Sequence, residues 1–339
     1  MNIQIEVARP DDFLQLVAVW NQSFGANWPL TEPLLRQSFE SEFHESEGVF
    51  VARDLEHRVL DRVLDVAKTS NIVGWIWARS NKMVGENLGR FQGRGGIGAL
   101  CVLPQFQRRG VATLLCDAAE NYLTQNNSPL TTLIYPAHLL PGVPLDGASA
   151  MAFFAARGYK RAGEHHDLRR SLVEYSMPEK AIVALQNNPT VEIRRARENE
   201  AYKVIDFVAR EFPNGWTYST ENHFRNGGKA RDFVVAVEES EIIGFCHTAS
   251  FASSRLLPST YWHRSLGEKF GGLGPIGISR EHRKRGLGLA LCAQAVHILK
   301  ESDVEAMAID WTTLVDFYGQ MGFEVWKSYV MMEKSELGA

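Results

Sequence analysis

The segment Gln107-Arg108-Arg109-Gly110-Val111-Ala112 returns later in the chain as Arg283-Lys284-Arg285-Gly286-Leu287-Gly288. Each copy follows an apolar, strand-like run and leads directly into a helical pattern. Val111, Leu115, Ala119 and Tyr122 recur at helical spacing, and so do Leu287, Leu291, Ala295 and Ile298. The fold must therefore supply a strand end, a glycine turn and a helix N-terminus in succession, twice over. The first N–H groups of a helix have no intrahelical partner and point outward, which makes such a start a seat for phosphate. Gly110 and Gly286 remove the Cβ that would hinder close approach, and the basic neighbours add positive charge.

The repeat extends beyond the turns. Ile5-Glu6-Val7-Ala8-Arg9 resembles Ile193-Arg194-Arg195-Ala196-Arg197, and in the same step Phe24 meets Phe212 and Trp28 meets Trp216. Ile72-Val73-Gly74 returns as Ile242-Ile243-Gly244, and Phe153-Phe154 with Gly158-Tyr159 returns as Phe317-Tyr318 with Gly322-Phe323. The spacing between copies shrinks along the chain, so they differ in loop length. Two copies imply two fused domains rather than a solenoid. The expected boundaries are 1–178 and 191–339, with the Pro- and Asn-punctuated stretch 179–190 as linker. Phe233–Val237 and Ile242–Cys246 read as a hairpin. Pro275, inside the apolar run 273–278, predicts a bulge or splayed strand just before the second turn, because it cannot donate to a sheet ladder.

At 339 residues each copy is long enough for its own core. The net charge is −4, and dividing the chain at residue 180 leaves the same balance of charge in both halves, which argues against nucleic acid as the main partner. No apolar run approaches the roughly 18 residues of a membrane span. The opening residues lack the pattern of a signal peptide, so a cytoplasmic location is expected. Cys101, Cys116, Cys246 and Cys292 stand singly, without metal-like or redox-like spacing. They read as buried apolar residues, and no metal is expected.

Taken together these motifs resemble the GCN5-related N-acetyltransferase (GNAT) family, here as a tandem pair. That family's phosphate turn reads Gln or Arg, two residues, Gly, one residue, then Gly or Ala. Gln107, Gly110 and Ala112 fit it, as do Arg283, Gly286 and Gly288. Its later pattern, aromatic-Tyr-x-x-x-Gly-Phe, is met by Phe317-Tyr318 and Gly322-Phe323, and imperfectly by the first copy. The resemblance implies an α/β (α+β) fold of two tandem domains. Each would be a mixed, mostly antiparallel sheet flanked by helices and splayed to admit the pantetheine arm of acetyl-coenzyme A. It implies that residues 107–112 and 283–288 hold the coenzyme pyrophosphate, with a backbone N–H near Ile278 facing the thioester oxygen.

The implied chemistry is acyl transfer to an amine: reactants are oriented, an oxyanion is stabilised, and two protons are moved. Tyr318 stands where many members place the phenol that protonates the departing sulfur, and Phe154 holds that place in the first copy. Either the C-terminal domain catalyses beside a degenerate N-terminal domain that retains a coenzyme A turn, which is the leading expectation, or water supplies the proton and both domains work. Asp310 is either the carboxylate that takes the amine's proton or a strand-end residue capping the next helix. Glu281 and His282 read as solvated loop residues, and His247 as a core or strand-end histidine. Trp216 and Tyr218 either grip the acceptor, by stacking on a sugar, aromatic or cation, or plug the sheet, as does Trp28. The cluster Tyr261-Trp262-His263-Arg264 lies in an insert that either covers the cleft or joins the domains. The leading expectation is acetyl transfer from acetyl-coenzyme A to a small primary amine. A longer acyl group and a non-catalytic acyl-coenzyme A sensor are the alternatives. The chain is expected as a monomer with an internal pseudo-dimer, or as a weak homodimer.

Overall fold

The computed structural model describes residues 2–40, 44–56, 59–60, 69–80, 94–128, 130–132, 139–213 and 215–335. The first copy contains β1 (Ile3–Val7), α1 (Phe13–Phe24), α2 (Glu32–Phe39), β2 (Val49–Asp54), the short pair β3 (Val59–Leu60) and β4 (Thr69–Ser70), β5 (Ile72–Arg79), β6 (Arg94–Val102), α3 (Val111–Gln125), β7 (Leu130–Thr132), β8 (Val143–Pro144), α4 (Ala148–Ala156) and β9 (Lys160–Ser171). The second contains α5 (Glu179–Gln186), β10 (Glu192–Arg195), α6 (Ala201–Glu211), α7 (Gly215–Arg225), β11 (Phe233–Glu238), β12 (Glu241–Ser250), β13 (Phe270–Ile278), α8 (Leu287–Glu301), β14 (Ala306–Thr312), α9 (Val315–Gly319) and β15 (Glu324–Lys334).

Two compact units result, and their boundaries differ from those expected. The first holds the described residues up to 164 together with 329–335, and the second holds 165–328. Within the first, the strand order is β1-β2-β5-β6-β7 followed by the end of β15, where Glu333 and Lys334 pair with Thr132 and Thr131. Within the second it is β10-β11-β12-β13-β14 followed by the end of β9, where Ser171 to Leu168 pair with Ala306 to Ile309. In both, the pairing is antiparallel except at one step, β6 with β7 and β13 with β14. Each unit thus contains the last strand segment of the other copy's sequence.

In the second unit β13 and β14 stay paired only from Phe270↔Ala306 to Leu273↔Ile309. Gly274, with φ +131°, and Pro275, with no N–H to give, end that ladder. On the other side of β13 the register with β12 breaks between Cys246 and Thr248. The strands part where Pro275 predicted they would.

The stretch 179–190 is not an open linker. Its α5 packs along α8, with Ala184 against Gly286. Just before α5, the Tyr175 hydroxyl donates to Ala293 O at 2.9 Å. This cover explains why α8 buries more than the stripe read from sequence. Ala290 and Ala293 are fully buried, whereas Leu114 and Asp117, which stand in step with them on α3, are exposed. A helix covered on a second face loses its polar side.

Candidate active site

The two glycine turns have the same backbone. In the first, Arg108 (φ +59°) and Gly110 (φ +83°) are left-handed; in the second, Lys284 (φ +67°) and Gly286 (φ +77°) are. Gly110 and Gly286 are the N-caps of α3 and α8, so the free N–H groups of both helices open onto the turn. A Cβ added at Gly288 would meet no protein atom within 4 Å, which leaves room for a ligand at the first turn of α8.

The basic side chains do not all serve as expected. Arg283 Nε donates to Ile278 O at 3.1 Å, and Gln107 Nε2 donates to Val102 O at 2.9 Å. The first motif residue therefore ties the turn to the strand before it. Arg285 makes two bonds to Glu238, each 2.9 Å, and a third to Asn188 Oδ1 at 2.8 Å. Its charge is already matched by Glu238. Lys284, Arg108 and Arg109 are exposed and form no ion pair among the described residues. At 283–288 the backbone N–H groups at the start of α8 and the exposed Lys284 are what remain available to an anion.

Between the parted strands, alternation of the ladder determines which amides are available. Ser279 N–H donates to Ile243 O at 2.9 Å, within the register that pairs Ile278 with Gly244 and Ile276 with Cys246. In an antiparallel pair every second residue turns its N–H away from its neighbour strand. Ile278 and Ile276 are the residues that do so, and both amides face the gap beyond Leu273. Ile276 was not singled out from sequence. Its signal is the two-residue period from Ile278.

Tyr318 lies in α9, 5% exposed within the core cluster of the second unit. Burial, then Cys292, Cys246 and Asp310, push its phenol well above the ordinary tyrosine value, so it keeps its proton at neutral pH. Asp310 is inside β14 rather than at a helix start, since the N-cap of α9 is Leu314. Its carboxyl lies beside Gly274, where a Cβ would stand 3.4 Å from Oδ1. Burial, and next the negative charge of Asp167, raise it to about 7. A proton-holding phenol and a carboxyl poised near neutrality are thus close enough to sense each other beside the gap.

Trp216 begins α7, 40% exposed and packed on Phe212 and Phe245 at ring distances of 5.2 and 6.0 Å. Tyr218 is half-buried on the same helix, and Asn214 lies outside the described residues. The insert after β12 folds onto its own sheet, with Ser259 and Thr260 against Gly272 and Trp262 4% exposed. His247 is buried: its Nε2 meets His223 Nδ1 at 3.2 Å, and His223 Nε2 meets Asp232 Oδ2 at 3.2 Å. His282 is less solvated than expected, with Nδ1 2.7 Å from Ser279 Oγ and Nε2 3.4 Å from Glu238, while Glu281 is exposed. All four cysteines are free and buried. Among the described residues no cluster of His, Cys, Asp and Glu suits a metal ion, and no helix is long and apolar enough to cross a membrane.

The first unit has a different site. A cavity of about 620 Å³ opens beside its turn, lined by Gln107, Gly110, Ala112, Val102, Val143 and Phe154 among others. Its aromatic residues are turned inward. Trp28 is 8% exposed, its Nε1 donating to the Tyr329 hydroxyl at 3.0 Å while its carbonyl accepts from Trp20 Nε1 at 2.7 Å. Trp28 is a plug; its sequence counterpart Trp216 is half open to solvent.

A family model described as "Acetyltransferase (GNAT) family" matches residues 16–159 and again 201–323. No curated protein matches the chain. Among solved structures, a fungal multi-domain GH3 beta-N-acetylglucosaminidase, described as carrying a GCN5-related glucosamine N-acetyltransferase region, is 26% identical. It superposes with a TM-score of 0.83 over 98% of this chain, which spans 38% of that protein. A GCN5-related N-acetyltransferase from Sphaerobacter thermophilus (15% identical, TM-score 0.66) is covered at 99% of this chain and 97% of its own. A tandem GNAT protein of the clavulanic acid biosynthesis pathway (15% identical, TM-score 0.64) is covered at 100% and 99%. At that identity the last two share the fold.

Proposed function

The chain belongs to the GNAT family of acetyltransferases, and from that premise we propose that it transfers an acetyl group from acetyl-coenzyme A to the primary amine of a small acceptor, an amino sugar foremost. The observation that carries the reading is the gap between β13 and β14, with Tyr318 and Asp310 beside it and the Ile276 and Ile278 amides facing it. The similarity to the fungal glucosamine N-acetyltransferase region, and a half-exposed Trp216 suited to stacking on a sugar ring, support the amino sugar.

In this reading the acceptor enters as an ammonium ion and gives a proton to Asp310. The free amine attacks the thioester carbon, and negative charge gathers on the carbonyl oxygen. The Ile278 amide, with Ile276 next to it, meets that charge. The C–S bond breaks, the sulfur takes the proton of Tyr318, and the surplus proton on the acylated nitrogen passes to the Tyr318 phenolate, directly or through water, which leaves a neutral amide and a restored phenol. The coenzyme pyrophosphate rests on the amides of 284–288. The N-terminal unit binds coenzyme A through 107–112 without turnover, because Phe154 has no proton to give and Trp28 fills its acceptor side.

Release of coenzyme A thiol with a panel of amines tests this. Glucosamine is expected to support turnover, and Tyr318→Phe to reduce kcat by about 100-fold with little change in acetyl-coenzyme A KM. Gly288→Glu places a carboxylate in the open space at the start of α8 and is expected to raise that KM at least about 10-fold. Thiol release from no amine would refute the proposal, as would wild-type turnover in both variants.

A further inference from the structure

The register between β9 and β14 pairs Leu168 with Ile309 and then His166 with Thr312. One residue on β9, Asp167, therefore faces two on β14, Asp310 and Trp311, which is the count of a β-bulge. Trp311 is left-handed at φ +41°, a conformation uncommon for any residue but glycine. Asp167 is 4% exposed, and its Oδ1 accepts the Trp311 N–H at 3.1 Å. The bulge sets the direction of Asp310, whose carboxyl lies beside Gly274 at the mouth of the gap.

We propose that Asp167 is the positioning residue of the acetyl-transfer site: by accepting the Trp311 N–H it clamps the bulge that presents Asp310 to the acceptor. This rests on the reading of Asp310 as the base. The charge of Asp167 acts on Asp310 as well, and the other groups around Asp310 leave this electrostatic part to it. From α9 comes Tyr318, which is neutral. β13 has no ionisable side chain, and the turn Pro258–Thr260 has none. On β12, His247 lies opposite Gly274-Pro275, its charge suppressed by burial and then by His223. On β9, the His165 ring packs on Trp311, and His166 Nδ1 meets Ser328 Oγ at 2.9 Å. The first unit lacks this device. Nine residues past Gly158 stands Asp167, whereas nine residues past Gly322 stands Met331.

Two substitutions separate the clamp from the charge. Asp167→Asn keeps an oxygen for the Trp311 N–H and removes the charge; Asp167→Ala removes both. In the full-length protein labelled with 13C at aspartate carboxyls, the Asp310 signal is identified by its loss in Asp310→Asn and titrated directly. Asp167→Asn is expected to lower the Asp310 midpoint by about 1 unit or more and to shift the acidic limb of kcat/KM with it. Asp167→Ala is expected to lower plateau kcat by about 10-fold or more at unchanged acetyl-coenzyme A KM. An Asp310 midpoint unmoved in Asp167→Asn, or wild-type kcat in Asp167→Ala, overturns the proposal. If Asp310→Asn itself retains turnover, the base assignment fails, and the carboxyl titration still decides whether Asp167 governs Asp310.

Discussion

Tyr318 and Phe154 differ by one oxygen atom, and that atom separates a side chain able to protonate a thiolate from one that only packs. Such differences are read directly from sequence because the chemistry is in the residue type. Direction is not. Arg283 and Arg285 have the charge expected of phosphate ligands, yet one caps a strand carbonyl and the other is held by Glu238 and Asn188. Glu238 and Asn188 are far away in sequence, and no local pattern announces them. Asp310 also has a stability consequence with a definite sign. Its carboxyl titrates near 7 when folded and in the ordinary carboxylate range when unfolded, so the native state binds the extra proton between those values. Stability then falls as pH rises through that window. Asp310→Asn is accordingly expected to raise Tm at pH 8 by a few degrees and to leave it almost unchanged at pH 4, a contrast that paired melting curves would show. Equal melting temperatures for the two proteins at pH 8 would count against a buried, destabilising carboxylate.

The helices and strands that carry the motifs were apparent in the sequence because their periods of burial are local. The hairpin of β11 and β12 and the parting of β13 at Pro275 follow from alternation and from one missing N–H. The position of α5 does not follow in the same way. Pro178 and the Asn-Pro pair at 188–189 bracket it like a linker, and only its packing on α8 shows that it is part of the core. The strand partners of Tyr329 and Val330, which are Pro144 and Val143, were equally out of reach. Their contact explains Gly142: at φ +148° a Cβ there would stand 2.6 Å from Val330 O. Gly142→Ala is expected to destabilise the first unit by more than about 1 kcal/mol. In differential scanning calorimetry it should lower one transition while acetyl transfer at 25 °C is preserved. Loss of transfer without loss of stability would mean that the first unit takes part in the chemistry.

The duplication was plain from two turns and two aromatic-glycine motifs, but the sequence does not tell which sheet receives a terminal strand. Lys160–Ser171 is a largely polar strand that reads as the close of the first copy, and alternation marks its faces, not its neighbours. The structure assigns residues 165–171 to the second unit and 329–335 to the first. Cutting the chain after residue 188 should therefore leave two fragments that each lack the terminal strand of their sheet. Expressed alone, each is expected to be insoluble or to unfold without a cooperative transition. Expressed together, they should recover acetyl transfer. A soluble, fully active fragment 189–339 would be incompatible with a site that needs β9.

The traded strands bear on how such a chain can change over generations. In an ordinary tandem repeat, a copy that has lost its activity is dispensable and can be deleted. Here the last strand of the first copy supplies Asp167 and a sheet edge to the second. On the proposed reading, mutation is free to leave Phe154 in place but not to remove residues 165–171. If the proposed division of labour holds, purifying selection in the first copy should be strongest at residues 165–171, where its chain belongs to the second unit.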